Sequence, residues 1–533
     1  MTRIFTVRSK AKKGDFVIIR QMQVRTQHDG LDNYLTDASN MCGGHAEKLF
    51  VPESASDIPE ILRGANASRT PVTVSGARTG TVGGAIPFGG YIISLEKLNK
   101  IKKIDKRTMT AVVEPGVILA DFQKAVDSEG LFYPPDPTEW SCQIGGTVAT
   151  NASGARSFKY GATRNYVNAL KVVLADGSFV ELSRGQAISV NGEPIKLRTT
   201  SRHFEIKIPT YTRPKVRKNV SGFFTSQPMD AVDLFIGSEG TLGVITEIEL
   251  SLLPKGEGFF SGIVFFERNN DLLAFVDETK QVSFASRAER TTPSAMTPTP
   301  RSSRKAGSHC LDASLIEYFD DRALNFIREK FPETPSEMAG AIFFEQETTA
   351  SNEDELLEYW NALLEKHTAN LESSWFTTTD RDREKMRAFR HALPVSVNER
   401  VVRNKQKKIG TDMAVPDETF PGFLKFQKEM LNASGIDYVI FGHIGDCHLH
   451  ANLLPKNDEE AARSRHLYGR FVAQAIMLGG CVSAEHGIGK LKRKYLDAMM
   501  GERYLNEMAA IKKVLDPSGI LGVGNIFDPK YLL

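Results

Sequence analysis

Four of the chain's eleven histidines fall in two short stretches, Phe441-Gly442-His443-Ile444-Gly445-Asp446-Cys447-His448-Leu449-His450 and Cys481-Val482-Ser483-Ala484-Glu485-His486-Gly487-Ile488-Gly489-Lys490. Neutral imidazole and carboxylate oxygen suit a divalent metal such as Zn²⁺ or Mn²⁺. A histidine is also the simplest general base for taking a hydroxyl proton near neutral pH. Taken singly, each of these residues would be an ordinary packed or surface side chain. Their density, beside glycines at the exit of an expected strand, points to a site.

The first half carries a different chemistry. The stretch from Pro71 to Ala85 includes Ser75-Gly76-Ala77-Arg78-Thr79-Gly80. Glycines there allow a tight turn that brings several N–H groups onto one oxyanion, as a diphosphate requires. It is neither the GxGxxG fingerprint nor a P-loop, since no Gly-Lys-Ser/Thr follows. Alone it would be only a turn. Three later segments change that reading: the rigid Pro134-Pro135-Asp136-Pro137-Thr138, the small-residue run Ser141 to Gly154, and Ile236 to Thr246.

These motifs need a scaffold. From about Lys48 strands and helices alternate. A helix capped by Ser56 or Asp57 precedes strands at 71–74, 91–95 and 109–117. LADFQKAVDSEG predicts a helix that ends at Gly130, and 169–182 predicts a hairpin turning at Asp176-Gly177. From Phe259 onward, strands SGIVFFE, AIFFEQE and YVIFGHIGD alternate with helical stretches. LIEYFDDRALNFIREKF shows helical spacing. This order predicts an antiparallel sheet covered by helices. Residues 286–309, rich in Ser, Thr, Pro and Arg, predict a mobile surface loop. The expected division is an N-terminal extension (1–44), a nucleotide-binding domain (45–255), a substrate or cap domain (256–455) and a C-terminal helical segment (456–533) returning to the first domain.

Composition narrows the classes. The 533 residues exceed one core, with Lys+Arg 67 against Asp+Glu 65, so a net charge of +2 makes no case for nucleic acid. No run reaches the ~18 apolar residues a membrane helix needs. The basic N-terminus lacks an apolar signal core. Five cysteines without CxxC spacing suit a reducing compartment, so a cytoplasmic location is expected, and peripheral membrane contact would leave no mark.

In order and in register, the first-half motifs resemble the FAD-binding domain shared by vanillyl-alcohol oxidase, p-cresol methylhydroxylase and the flavin D-lactate dehydrogenases. The second-half pattern, GHIGD-x-x-LH-x-N and then SAEHGIGK, resembles the C-terminal part of D-lactate dehydrogenases, the glycolate oxidase flavin subunit and D-2-hydroxyglutarate dehydrogenases. The resemblance implies an α+β fold, with a two-subdomain FAD-binding domain of this type and a cap domain. By that likeness Gly76 to Gly80 cradle the FAD diphosphate. Asp136, Thr138, Gly145, Gly146, Thr147, Asn151 and Gly154 line the isoalloxazine and ribityl path, and Ile245 lies by the adenine. His443, His450 and Glu485 match metal ligands, His486 the base, and Arg390 an arginine that clamps the substrate carboxylate. Lys408, in a less clean match, is a further candidate for substrate contact.

Departures from the pattern matter too. Arg78 stands where covalent flavoproteins of this type carry histidine, which implies dissociable FAD. Relatives have Gly and Asn at the positions of Cys447 and His448, so these two are read as packing around the site. Gly522-Val523-Gly524-Asn525 replaces a common Asn-Pro-Gly-Lys, which puts any flavin contact there in question. The implied activity is oxidation of a small D-2-hydroxy acid, D-lactate first, by hydride transfer to flavin. The electrons would pass to a cytochrome, a quinone or an electron-transfer flavoprotein. Two other readings stay open: a non-redox flavoenzyme like alkyldihydroxyacetonephosphate synthase, and a non-catalytic FAD-binding subunit. The intact SAEHGIG stretch favours the dehydrogenase.

Overall fold

Alternating buried strands build a seven-stranded, wholly antiparallel sheet in the second half. Its order is Asn370–Thr377, Gly258–Phe266, Gly340–Thr348, Leu315–Asp320, Tyr438–His443, His448–Leu453 and Ile409–Gly410. The computed structural model describes residues 3–6, 21–26, 30–291 and 311–532. Helices Asn269–Thr291, Glu353–Lys366 and Asp380–Arg403 pack on this sheet, and Trp360 stacks on Phe344 with ring centroids 3.9 Å apart. An antiparallel sheet under helices is what the sequence pattern predicts.

One stretch differs. Leu315–Asp320, expected as part of a helix, is a strand with all six residues buried. A central strand covered on both faces reads as a continuous apolar run, which periodicity alone cannot tell from a helix. The helix begins only at Asp321, where the Asp320 carboxylate caps it by accepting the Ala323 N–H at 2.7 Å.

The first half holds two further five-stranded sheets. In one, Lys48–Val51, Tyr91–Ser94 and Val72–Ser75 run parallel. The stretch read as an N-terminal extension is joined to it, because Gln21–Thr26 pairs antiparallel with Lys48–Val51 and with Arg3–Thr6. The other sheet is antiparallel and contains the predicted hairpin, Val167–Val173 against Phe179–Ser183, with Gly177 at φ 78° in the turn. Helix Ile58–Ser68 buries Ile58, Ile61, Leu62 and Ala65 at one helical face. Its N-cap residue is Asp57, one of the two expected, and the short 3₁₀ turn Ala55–Asp57 leading into it is itself capped by Ser54 in a capping box with Asp57. Helix Leu119–Ser128 ends before Gly130, as expected.

The expected loop 286–309 is helical at its start, since Asn269–Thr291 runs through residues 286–291; residues 292–310 lie outside the described residues. Near the C-terminus, helix Arg493–Leu515 breaks at Gly501 (φ 72°). The tail then crosses back to the first half, where Ile520 and Leu521 pack with Val72 and Ile93. No helix among the described residues is long and apolar enough to cross a membrane.

Candidate functional site

Strand alternation sets the histidines. His448 and His450 are two apart on one strand and so share a face, and His443 lies opposite His448 in register. Cys447, in a left-handed conformation (φ 53°), closes the turn between the two strands. Facing them, Glu485 sits in the irregular stretch before helix Arg493–Leu515.

Glu485 divides its carboxylate between two neighbourhoods. Its Oε1 accepts from Ser153 Oγ at 2.8 Å and from the buried Lys218 ammonium at 3.1 Å. Its Oε2 faces the imidazoles, 3.2 Å from His443 Nε2, 3.7 Å from His450 Nε2 and 4.0 Å from His448 Nδ1. Behind the imidazoles stand oxygen partners. Glu317 Oε1 is 2.5 Å from His443 Nδ1, and the Thr411 carbonyl is 2.9 Å from His450 Nδ1. Such partners fix the tautomer and turn the other ring nitrogen inward. Burial lowers the His443 pKa, but Glu317 and Glu485 outweigh it and raise it to about 9.

Asp412 organises the other side. Its Oδ1 accepts the Glu485 N–H, and its Oδ2 accepts the His486 N–H at 3.1 Å and the Ser483 hydroxyl at 2.7 Å. The Lys492 ammonium reaches the same Oδ2. His486 Nδ1 is 3.5 Å from Oδ2, and the His486 ring stacks on His450 at 5.2 Å. Burial lowers the His486 pKa to about 4, Lys492 and His450 adding to the fall against the pull of Asp412. Its imidazole is therefore neutral at pH 7, and its side chain is 36% exposed, while Asp412 is fully buried. A neutral, part-exposed imidazole beside a buried carboxylate can take a proton.

Arg390 closes a third side. It lies on helix Asp380–Arg403 and donates Nε to Glu317 Oε2 at 2.8 Å, so Glu317 bridges Arg390 and His443. Among the described residues Glu317 is the sole hydrogen-bond partner of this guanidinium, and its terminal nitrogens remain for a ligand. Lys408 is exposed and makes no hydrogen bond or ion pair with the described residues.

The glycine-rich loops converge on the same region. Gly237 N donates to Val148 O and Glu239 N to Ala149 O, while Ser153 reaches Glu485 as described. Glu239, buried, accepts Ile488 N at 2.7 Å and Gly489 N at 2.6 Å. Asn525 donates to Gly84 O at 2.9 Å and Glu239 O at 3.0 Å and accepts from Lys490. The tail that departs from the family pattern thus ties three loops together.

Within these loops the glycines differ. A Cβ at Gly154 would lie 1.8 Å from Asp136 O and one at Gly145 2.5 Å from Pro115, so these two serve protein packing. At Gly80 and Gly146 a Cβ would meet nothing within 4 Å, leaving backbone open to a ligand. Beside Gly76, the buried Gln143 Oε1 has no hydrogen-bond partner. Open backbone and an unpartnered polar atom fit a bound dinucleotide.

Thr147 donates to Ile144 O, and Asn151 accepts from Arg164 N, so both side chains are engaged within the fold. Asp136 accepts from Trp140 Nε1 at 3.0 Å and lies 3.4 Å from Arg156. Thr138 is exposed, and Ile245 is buried in the second sheet. Arg78 (φ 62°) donates to Gly76 O at 3.1 Å and lies 4.5 Å above the Tyr34 ring, so the region before residue 45 reaches this loop as well.

Residues 46–183 match the FAD binding domain family, and residues 290–526 match the C-terminal domain of FAD linked oxidases. The chain is 30% identical over 489 residues to a D-lactate dehydrogenase of Anaerostipes hadrus, covering 90% of this chain and 89% of that one. It is 28% identical over 504 residues to the glycolate oxidase subunit GlcD of Bacillus subtilis (strain 168), covering 93% and 92%. Among solved structures, p-cresol methylhydroxylase with substrate bound superposes with a TM-score of 0.68 at 15% identity, over 95% of this chain and 94% of that one. The two domains, their order and this shared architecture carry one conclusion: the chain belongs to the FAD-linked oxidase family and has its FAD-binding domain of the p-cresol methylhydroxylase type.

Proposed function

We propose that the protein oxidises a small D-2-hydroxy acid, D-lactate first among them, to the 2-oxo acid. The observation that carries this is the part-exposed imidazole of His486 lying 3.5 Å from buried Asp412, in the same cluster as His443, to which Glu317 joins an arginine with free terminal nitrogens. When bound, FAD would supply the acceptor for a hydride from C2, and a divalent metal, which His443, His450 and Glu485 would hold, would polarise the substrate oxygens. The metal reading is supported by the donor set itself: three imidazoles gathered around one carboxylate oxygen, Glu485 Oε2, whose near neighbours on that side are ring nitrogens.

The chain's own residues do the rest. Arg390 offers a planar fork to the substrate carboxylate, while Glu317 keeps the guanidinium oriented through Nε. His486 takes the hydroxyl proton, and Asp412 stabilises the imidazolium that results. Lys218 and Ser153 hold Glu485 so that only Oε2 faces the histidines. Gly76 to Gly80, Gly146 and Gln143 bind the cofactor. No histidine occupies position 78, so the flavin is held without a covalent bond. Reduced flavin would be reoxidised by a separate cytochrome, quinone or flavoprotein.

The deciding experiment mixes the yellow protein anaerobically with D-lactate, L-lactate, glycolate and D-2-hydroxyglutarate, with and without a chelator, and follows the flavin band. Bleaching by a D-hydroxy acid is expected; none by any of the four would sink the dehydrogenase reading.

A further inference from the structure

We infer that His448 is a fourth protein ligand, so that this chain holds its metal with three imidazoles and one carboxylate. The inference rests on the metal reading above and adds to it a residue that the family resemblance leaves as asparagine.

Three observations carry it. The first is placement. One ligand atom each from His443, His448, His450 and Glu485 lies within 4.8 Å of all the others. His448 Nδ1 is turned toward Glu485 Oε2, the same oxygen that His443 and His450 face. Strand register imposes this: His448 and His450 share a face, and His443 is the cross-strand partner of His448.

The second is an unmet need. His448 is fully buried, and neither ring nitrogen makes a hydrogen bond. Nε2 approaches Asp412 Oδ1 to 3.0 Å, close enough for an ion pair but misaligned for a hydrogen bond. A buried polar side chain without a partner is rare and calls for one. A cation among these four atoms would engage Nδ1 directly. Nε2 would keep its carboxylate behind it, as Glu317 stands behind His443 and the Thr411 carbonyl behind His450.

The third is elimination of the neighbouring set. Asp412, His450 and His486 also cluster, but Asp412 already accepts from two backbone N–H groups, Ser483 and Lys492. Its lone pairs are taken. Glu485 Oε2, by contrast, meets only imidazole nitrogens, and His448 Nδ1 has no hydrogen bond.

The consequence is chemical. Adding a third imidazole makes the donor set richer in nitrogen, which shifts preference from Mn²⁺ and Mg²⁺ toward Zn²⁺ or Co²⁺. With four protein ligands already present, a substrate oxygen enters only as a further ligand.

The test is X-ray absorption at the zinc edge on the full-length, zinc-loaded flavoprotein, which counts imidazoles by their multiple scattering and does not depend on turnover. Three imidazoles are expected at about 2.0–2.1 Å. In His448→Asn the count should fall to two, and zinc affinity by competition with a chelator should fall by about tenfold or more while that for Mn²⁺ changes less. Two imidazoles in the unaltered protein would overturn the role of His448 and leave the three-residue metal site standing. Failure to bind zinc or manganese at all would overturn both readings. Should His448→Asn not fold, the count in the unaltered protein decides alone.

Discussion

Asp412 Oδ2 lies 3.5 Å from His486 Nδ1 while accepting the same residue's backbone N–H at 3.1 Å. One carboxylate therefore holds the backbone of His486 and sets a negative charge beside its part-exposed imidazole. Asp412→Asn keeps the volume but removes the charge that stabilises the imidazolium. Anaerobic flavin reduction by substrate should slow by about 10³-fold to 10⁴-fold, with the visible flavin spectrum unchanged. A loss under tenfold would mean that another group takes the proton.

Arg390→Lys replaces a planar fork by a single ammonium beside Glu317. The KM for the hydroxy acid should rise by about 10- to 100-fold, with a smaller effect on kcat, as expected when binding rather than the chemical step is weakened. Steady-state kinetics with an artificial acceptor separates the two. A fall in kcat alone would remove Arg390 from carboxylate binding.

Glu239 gives a pH dependence. Burial raises its pKa to about 7, against the N–H bonds from Ile488 and Gly489 and the nearby Lys490 and Lys492. Its folded pKa thus stands above the unfolded value, so the folded state holds more protons between about pH 4.5 and 7. Stability contributed by protonated Glu239 is present at the acid end and falls as pH rises through that window. Asp320, raised to about 7 chiefly by burial, acts in the same direction. Glu239→Gln should therefore flatten, without abolishing, the decline in Tm from pH 5 to 8. An unchanged slope would show that Glu239 is ionised throughout.

Asn525→Ala removes the bonds to Gly84, Glu239 and Lys490 and leaves the buried Lys490 ammonium without its amide acceptor. A cost of about 1–3 kcal/mol is expected, seen as a lower Tm and faster FAD release on dilution. Normal FAD retention would reduce Asn525 to a tail contact.

The parts of this site that could be read from sequence are those concentrated in short motifs. His443, His450, Glu485 and His486 stand out because type and density speak together, Arg390 is marked only by the family resemblance, and the structure brings the five near one another. Glu317 was hidden by its strand: a run of six buried residues followed at once by a helix reads as one helix. Ser153 and Lys218 reach Glu485 across 332 and 267 residues, a distance no local pattern spans. His448 was set aside because the family pattern places asparagine there, although the alternation of its strand already puts it beside His450. The hairpin at 169–182 and the second-half sheet were legible because turn glycines and apolar runs are local signals.

The division of Glu485 between two sets of partners bears on protein engineering. One oxygen answers to Ser153 and Lys218 of the cofactor half, the other to the histidines of the second half. A chimera that grafts a relative's cap onto this cofactor module would assemble its reaction centre only if the donor's glutamate meets a compatible hydroxyl and ammonium. Splitting the gene at residue 255 would leave each fragment with half a carboxylate environment, so the reaction centre should return only when the two pieces dock and Ser153 and Lys218 again meet Glu485.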